Sequence, residues 1–331
     1  MRIESKIKRA LAAVLSMAAL SAVSFAAPLD TLDTAQSAFR HGRADDALRA
    51  LDAVLQQNAE NAAAWNLQCR VYLAQGRWDD AIASCQRSVQ IAEDNSEYHL
   101  WLGRAYGEKA SRSALLTAYR MAKRTHSEFN TAVALDANNR GALSDLGEYD
   151  VEAPKMLGGG YDKAETIVDR LDSLDPARAD ELRARIAEAK KDYPGAEQEW
   201  RARISASRSP EEAAQAWMDL GAFYRRRGRA DDMLSALKNG AAEDKDHGPA
   251  LVDGASTLIS AHREPALAAQ WLHEYLEGNA LGEAAPAFAV HAQLGDLLKK
   301  QGDAPGAERE FAAARALSAN YARVAARNTG N

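Results

Sequence analysis

The chain has 331 residues, 47% of them hydrophobic and 27% charged, a composition that excludes a disordered chain and suffices for a sizeable core. Aromatics make up only 7%, alanine recurs throughout, and strand-like runs of valine, isoleucine and threonine are missing, so the chain is predicted to be all-α. The formal net charge is −6, and without the first 26 residues it becomes about −9 by charge counting, which argues against DNA or RNA as a partner, because phosphate neutralisation drives such binding.

The first segment reads as a leader. Arg2, Lys6, Lys8 and Arg9 precede the apolar run "LAAVLSMAALSAVSF" and the small-residue exit "SFAAP", the layout of a secretory signal peptide over residues 1–26 with cleavage after Ala26. The run is shorter than the roughly 20 residues of a membrane helix, and no later segment is apolar enough to span a bilayer. The expected location is therefore periplasmic or secreted.

From residue 28 onward the pattern repeats. "HGRADDALRALDAVL" supplies Gly42, Ala47 and Leu51. "AWNLQCRVYLAQGRWDDAIASCQRSVQIAEDN" holds two amphipathic stretches joined at Gly76. Leu102, Gly103 and Tyr106 start a third unit, and Leu143, Leu146 and Gly147 a fourth. Trp217, Leu220, Gly221 and Tyr224 show the spacing W-x2-L-G-x2-Y ahead of Gly228, and His291, Leu294, Gly295 and Leu298 lead to Gly302, Ala307 and Phe311. A period of about 34 residues gives roughly eight helical hairpins, near 28–61, 62–95, 96–139, 140–178, 179–212, 214–247, 248–283 and 288–321, with a tail over 322–331. The fifth and seventh are degenerate: "KKDYPGAEQEWRARI" follows a first helix without the glycine signature, and "REPALAAQWLHEYL" slips by a residue. Insertions are expected near 107–120 and 152–161.

These residues make the chain resemble the tetratricopeptide repeat family, as an exported bacterial member, over almost all of the segment after the leader. The resemblance implies a right-handed solenoid of helix-turn-helix units whose first helices line a concave face. It places Gly103, Gly147, Gly221 and Gly295 where two helices approach most closely, with Ala81, Ala164 and Ala307 facing that position. Trp65, Tyr72, Trp217, Tyr224 and Phe311 then fill the gaps between units. Some family members grip a chaperone's C-terminal carboxylate through lysine and asparagine on the first helices. The corresponding positions here are Asn66 and Arg70, Leu100 and Arg104, Ser144 and Glu148, and Met218 and Ala222; the required set is absent, so that function is not carried over. Asn66, Arg70, Arg104 and Glu148 remain candidate partner-binding positions in the groove.

Three other features bear on chemistry. The stretch "EAPKMLGGGYDKAE" suggests a phosphate loop, but Gly158–Gly160 follow a helix and Lys163 is not joined to a glycine, so it reads as a wide turn. Pro154 is expected to end the helix before it and Asp162 to cap the one after, whose N-terminal amides are the only anion seat it offers. Cys69 and Cys85 lie about equally far from Gly76 on the two helices of one hairpin. Export to an oxidising compartment predicts that they form a disulfide, the alternative being two buried thiols packed as small apolar groups. "GEKASRSALLTAYRMAKR" is read as one long helix with Lys109, Arg112, Arg120 and Lys123 on one face and Ala114, Leu115, Ala118 and Ala122 on the other, a basic stripe for an anionic partner or a solvated outer face. The seven histidines show no HExxH and no pair one turn apart for a metal. The pairs Asp45-Asp46, Asp79-Asp80 and Asp231-Asp232 suit helix N-termini, and no cofactor is expected. The expected function is a non-enzymatic scaffold for a protein or peptide partner, the alternative an accessory protein binding a small molecule or polymer in envelope transport or polysaccharide systems. Self-association is left open.

Overall fold

The computed structural model describes residues 31–321; the leader expected over 1–26 and the tail 322–331 lie outside the described residues. Sixteen α-helices follow one another, with no strand among the described residues. They pair as eight hairpins: α1 (Leu32–Arg40) with α2 (Ala44–Gln57), α3 (Ala62–Ala74) with α4 (Trp78–Ile91), α5 (Ser96–Ser111) with α6 (Leu115–Leu135), and α7 (Arg140–Glu152) with α8 (Tyr161–Leu174). The array continues with α9 (Pro176–Ala189) and α10 (Tyr193–Ala206), α11 (Pro210–Arg226) and α12 (Ala230–Glu243), α13 (Pro249–Ser260) and α14 (Pro265–Glu277), and α15 (Ala287–Lys300) and α16 (Ala304–Leu317). It is an all-α helical-repeat solenoid, in which each helix packs mainly against its sequence neighbours.

Local chemistry sets the helix starts. Thr31, Asn61, Asn95, Asn139, Asp175 and Ser209 precede the first helices of hairpins one to six, and each side chain accepts a hydrogen bond from the amide three residues on. Each such cap contributes about 1 kcal/mol. The helices α2, α4 and α12 lack a side-chain cap and instead carry Asp45-Asp46, Asp79-Asp80 and Asp231-Asp232 in their first turns, where negative charge meets the positive end of the helix dipole.

In the six hairpins that are not lengthened, the inner turn uses a left-handed residue. Gly42, Gly76, Gly228 and Gly302 supply it with φ between +70° and +88°, at no steric cost. In the fifth and seventh hairpins the same role falls to Lys191 (φ 64°) and His262 (φ 52°). These are the two hairpins that read as degenerate in sequence, yet the turn survives.

Small residues allow the helices to close. A Cβ built on Gly103 would lie 2.5 Å from Phe129, on Gly221 2.5 Å from Leu237, and on Gly295 2.7 Å from Phe311, each across its own hairpin. Gly147 differs: its nearest neighbour is Leu182 of α9 at 2.4 Å, with Ile167 of its own hairpin at 3.2 Å. That glycine therefore serves the contact between hairpins four and five as much as the one within hairpin four. Ala81 and Ala164 are fully buried and Ala307 nearly so.

The last hairpin returns to the first. Phe288, at the start of α15, is fully buried in the cluster formed by Phe39, Leu51 and Val71. A Cβ on Gly42 would sit 2.6 Å from the backbone nitrogen of Ala287. Past α16, Ser318 accepts a hydrogen bond from the buried Gln75 side chain at 2.9 Å, and the amide of Ala319 donates to Asp45 at 2.8 Å. Open repeat arrays need polar capping units at both ends; here the two ends cover each other.

Two hairpins are lengthened. The stretch read as one long helix is two: α5 stops at Ser111 and α6 starts at Leu115 after the extended residue Ala114 (φ −63°, ψ 152°). The hydroxyls of Ser111 and Ser113 donate back to the carbonyls of Glu108 and Lys109, the local competition by which serine ends helices. In the fourth hairpin the bend holds a short 3-10 turn, Lys155–Leu157. The residue before α8 is Gly160, and Asp162 does not cap the helix but sits inside its first turn.

Candidate partner-binding groove

Side chains on the first helices of successive hairpins, joined by Arg203 of the second helix α10, form a chain of ion pairs that makes one wall. Arg70 on α3 pairs with Glu283 in the linker between α14 and α15. That linker is tethered by Tyr275, whose hydroxyl donates to the carbonyl of Ala285 at 2.6 Å. Arg104 on α5 pairs with both oxygens of Asp145 on α7, at 2.6 and 3.2 Å. Arg70 and Arg104 both lie over the ring of Trp101, 5.0 and 4.5 Å from its centroid. Further along, Arg185 on α9 bridges Glu148 (2.8 Å) and Glu181 (3.0 Å), and Arg203 joins Glu181 (3.2 Å) to Asp219 on α11. Gln215 carries the network on to Asp253 of α13 at 2.9 Å.

Burial and charge compete along this wall. Burial pushes the Glu148 carboxyl above its ordinary value against the pull of Arg185, with Glu152, Glu181 and Asp145 adding to the rise. Burial also pushes Glu181 up, but Arg203 and Arg185 outweigh it and hold that group below its usual range. Asp219 is raised by burial despite Arg203, and Asp253 by burial despite its bond to Gln215.

Between these residues lies open space. One cavity of about 640 Å³ is lined by Trp78, Trp101, Arg104, Asp145, Glu148 and Glu152, among others. A second of about 400 Å³ shares Glu148 and Glu152 and adds Arg185, Glu188 and Arg226. The shared residues make the two one continuous groove across hairpins two to six.

Of the sequence candidates, Arg104 and Glu148 fall directly in this groove. Arg70 reaches the same wall through Trp101. Asn66 is buried on α3, and its side-chain nitrogen has no hydrogen-bond partner. The four basic residues do not share one helix face: Lys109 lies on α5, Arg112 in the break after it, and Arg120 and Lys123 on α6. Lys109 pairs with Asp79, and Arg112 pairs with Glu108 at 2.6 Å and lies over Trp78. The bend offers an anion little: the amides of Gly158, Gly159 and Gly160 donate to the carbonyls of Lys155, Pro154 and Asp150. Cys69 and Cys85 form a disulfide across the second hairpin, S–S 2.02 Å with Cα atoms 5.2 Å apart. Trp101, Asp145, Glu181, Arg185 and Arg203 escaped the sequence reading, since an ion-pair ladder between hairpins leaves no motif within one. Among the described residues no group of three His, Cys, Asp or Glu side chains is placed to hold a metal ion, and no helix is long and apolar enough to cross a membrane.

The family model for the tetratricopeptide repeat matches residues 32–96, the first two hairpins. Those two hairpins are thus similar to the tetratricopeptide repeat. No curated protein matches this chain. Among solved structures it is similar to a tetratricopeptide repeat protein from Parabacteroides merdae, at 15% identity over 81% of this chain and 96% of that one, TM-score 0.47. It is also similar to a thermophilic TPR protein of Thermus thermophilus, at 18% identity over 61% of this chain and 99% of that one, TM-score 0.45. A third likeness is to MamA, at 18% identity over 65% of this chain and 96% of that one, TM-score 0.31. Scores this low say nothing about partner or activity.

Proposed function

We propose that the protein is an exported, non-catalytic scaffold that holds a protein or peptide partner in the groove along the inner wall of its first helices. The observation that carries this reading is the continuous groove through Glu148 and Glu152, which combines tryptophan faces with charged groups. Around it Asp145, Glu148, Glu152, Glu181, Glu188, Asp219 and Asp253 outnumber Arg104, Arg185, Arg203 and Arg226. The surplus of carboxylates favours a partner segment bearing lysine or arginine, because opposite charge offsets the cost of burying them. Export rests on the leader-like residues 1–26.

A photoreactive residue placed at position 152 and crosslinked in intact cells tests the groove, with the exposed position 238 on α12 as the outer-face control. A discrete crosslinked protein from position 152 alone supports the reading. Identical products from both positions, or none from either, overturn it.

A further inference from the structure

The two lengthened hairpins build a corner that the other six lack. Phe129 closes on Gly103 as Phe311 closes on Gly295, yet α16 begins at Ala304, seven residues before its phenylalanine, and α6 at Leu115, fourteen before. Leu115–Met121 are therefore two extra helical turns, standing roughly 10 Å beyond the level at which an ordinary second helix starts. At their tip Leu115 is 89% exposed and Leu116 73%, while Met156, in the bend of the next hairpin, is 72% exposed. The bend is fixed to the same helix. The hydroxyl of Tyr149 lies 2.9 Å from the carbonyl oxygen of Leu157 and 3.0 Å from that of Ala122, and the His126 ring stacks on the Tyr149 ring.

Basic groups surround these apolar side chains. Arg120 and Lys123 follow Leu116 at i+4 and i+7, so they share its outward face. Arg120, Lys123, Arg124 and Lys155 are all exposed, and none makes an ion pair among the described residues. The positive end of α6 carries no side-chain cap and adds to the field. The acidic side chains at this corner are Glu108, which Arg112 takes up, the buried Asp150, 3.8 Å from the His126 ring, and the exposed Glu152 and Asp162.

A protruding tip with adjacent leucines gives a protein partner no cleft to enter; such a partner would have to supply a deep apolar cleft with an acidic rim. A bilayer needs no such match: apolar side chains pass below the headgroups while lysine and arginine meet phosphates. On a chain of net charge −6, a local cluster of cations around bare leucines selects an anionic surface. We propose that the tip formed by Leu115–Lys123 and the Lys155–Leu157 turn docks the protein peripherally on an anionic phospholipid surface. This contact adjoins the groove at Glu108, Tyr149 and Glu152, but Leu115, Leu116, Arg120, Lys123, Lys155 and Met156 line neither of the groove's cavities.

Flotation of the purified protein with vesicles tests it. The protein is expected to float with vesicles of phosphatidylcholine and phosphatidylglycerol at low salt and to stay in the dense fraction with phosphatidylcholine alone. The variant Leu115→Ser, Leu116→Ser, Met156→Ser should not float, and Arg120→Gln, Lys123→Gln, Lys155→Gln should bind on the order of 100-fold more weakly. All six side chains are exposed, and unchanged circular dichroism verifies that the variants fold. Failure of the unaltered protein to float with the anionic vesicles, or equal flotation of the serine variant, overturns the proposal. So does a concentration-dependent dimer in sedimentation velocity that the serine variant abolishes, which would assign the tip to a second copy of the chain.

Discussion

Replacing Phe288 by alanine isolates the contact between the last and first hairpins. The ring is fully buried against Phe39 and Leu51 and meets Tyr321 edge-on, with centroids 4.9 Å apart. Truncating a core phenylalanine costs about 3–5 kcal/mol. In an array whose units touch mainly their neighbours, that loss falls on the units sharing the contact rather than on the middle of the stack. Hydrogen exchange of the native protein, read by mass spectrometry, reports it directly. Amides of α1 and α2, roughly 230 to 255 residues away in sequence, should exchange about two to four orders of magnitude faster, while α7 to α10 keep their protection. Leu220→Ala, an equally buried site on α11, should loosen its own neighbourhood and leave α1 unchanged. Wild-type exchange of α1 and α2 in the Phe288→Ala protein would refute the reasoning, as would an equal loss in both variants.

The disulfide and one buried carboxylate give two more expectations. Alkylation of protein taken from its native compartment should label neither Cys69 nor Cys85 until a reductant is added, and reduction should lower stability in urea by about 3 kcal/mol; labelling before reduction would show the thiols to be free. Asp150 is buried, one of its carboxylate oxygens has no hydrogen-bond partner, and burial pushes it up to about 6, with Lys163 opposing and Asp162 adding to the rise. The folded state therefore binds this proton more tightly than the unfolded chain, so the stability it contributes is full below pH ~4 and is lost as pH rises through about 6. Asp150→Asn should stabilise the protein at neutral pH by roughly 1–2 kcal/mol, with the gain fading in acid; a gain that persists at pH ~4 would contradict this account.

The hairpins were legible because local demands recur: a small residue where helices cross, an oxygen-bearing cap before the first helix of hairpins one to six, a left-handed turn after it in all but the two lengthened ones. Lys191 and His262 meet the third demand without glycine, in the two hairpins whose repeat pattern is degenerate. The break after Ser111 was not legible, since nothing in helix periodicity distinguishes serines that face solvent from serines that bond back to their own helix. The groove was half visible. Arg104 and Glu148 follow from position within a repeat, but Asp145, Arg185 and Arg203 acquire meaning only when neighbouring hairpins are stacked. Phe288 reads as an ordinary apolar side chain near a helix start, and its burial against Phe39 depends on rotation accumulated over the whole array.

That meeting of ends changes how the molecule should respond to force. A free stack of hairpins lengthens gradually, like a spring, as each joint yields a little. Here the hydrogen bond between Gln75 and Ser318 and the seat of Phe288 act as a clasp. A molecule pulled from residues 31 and 321 should resist first, release in one abrupt step, and only then become compliant.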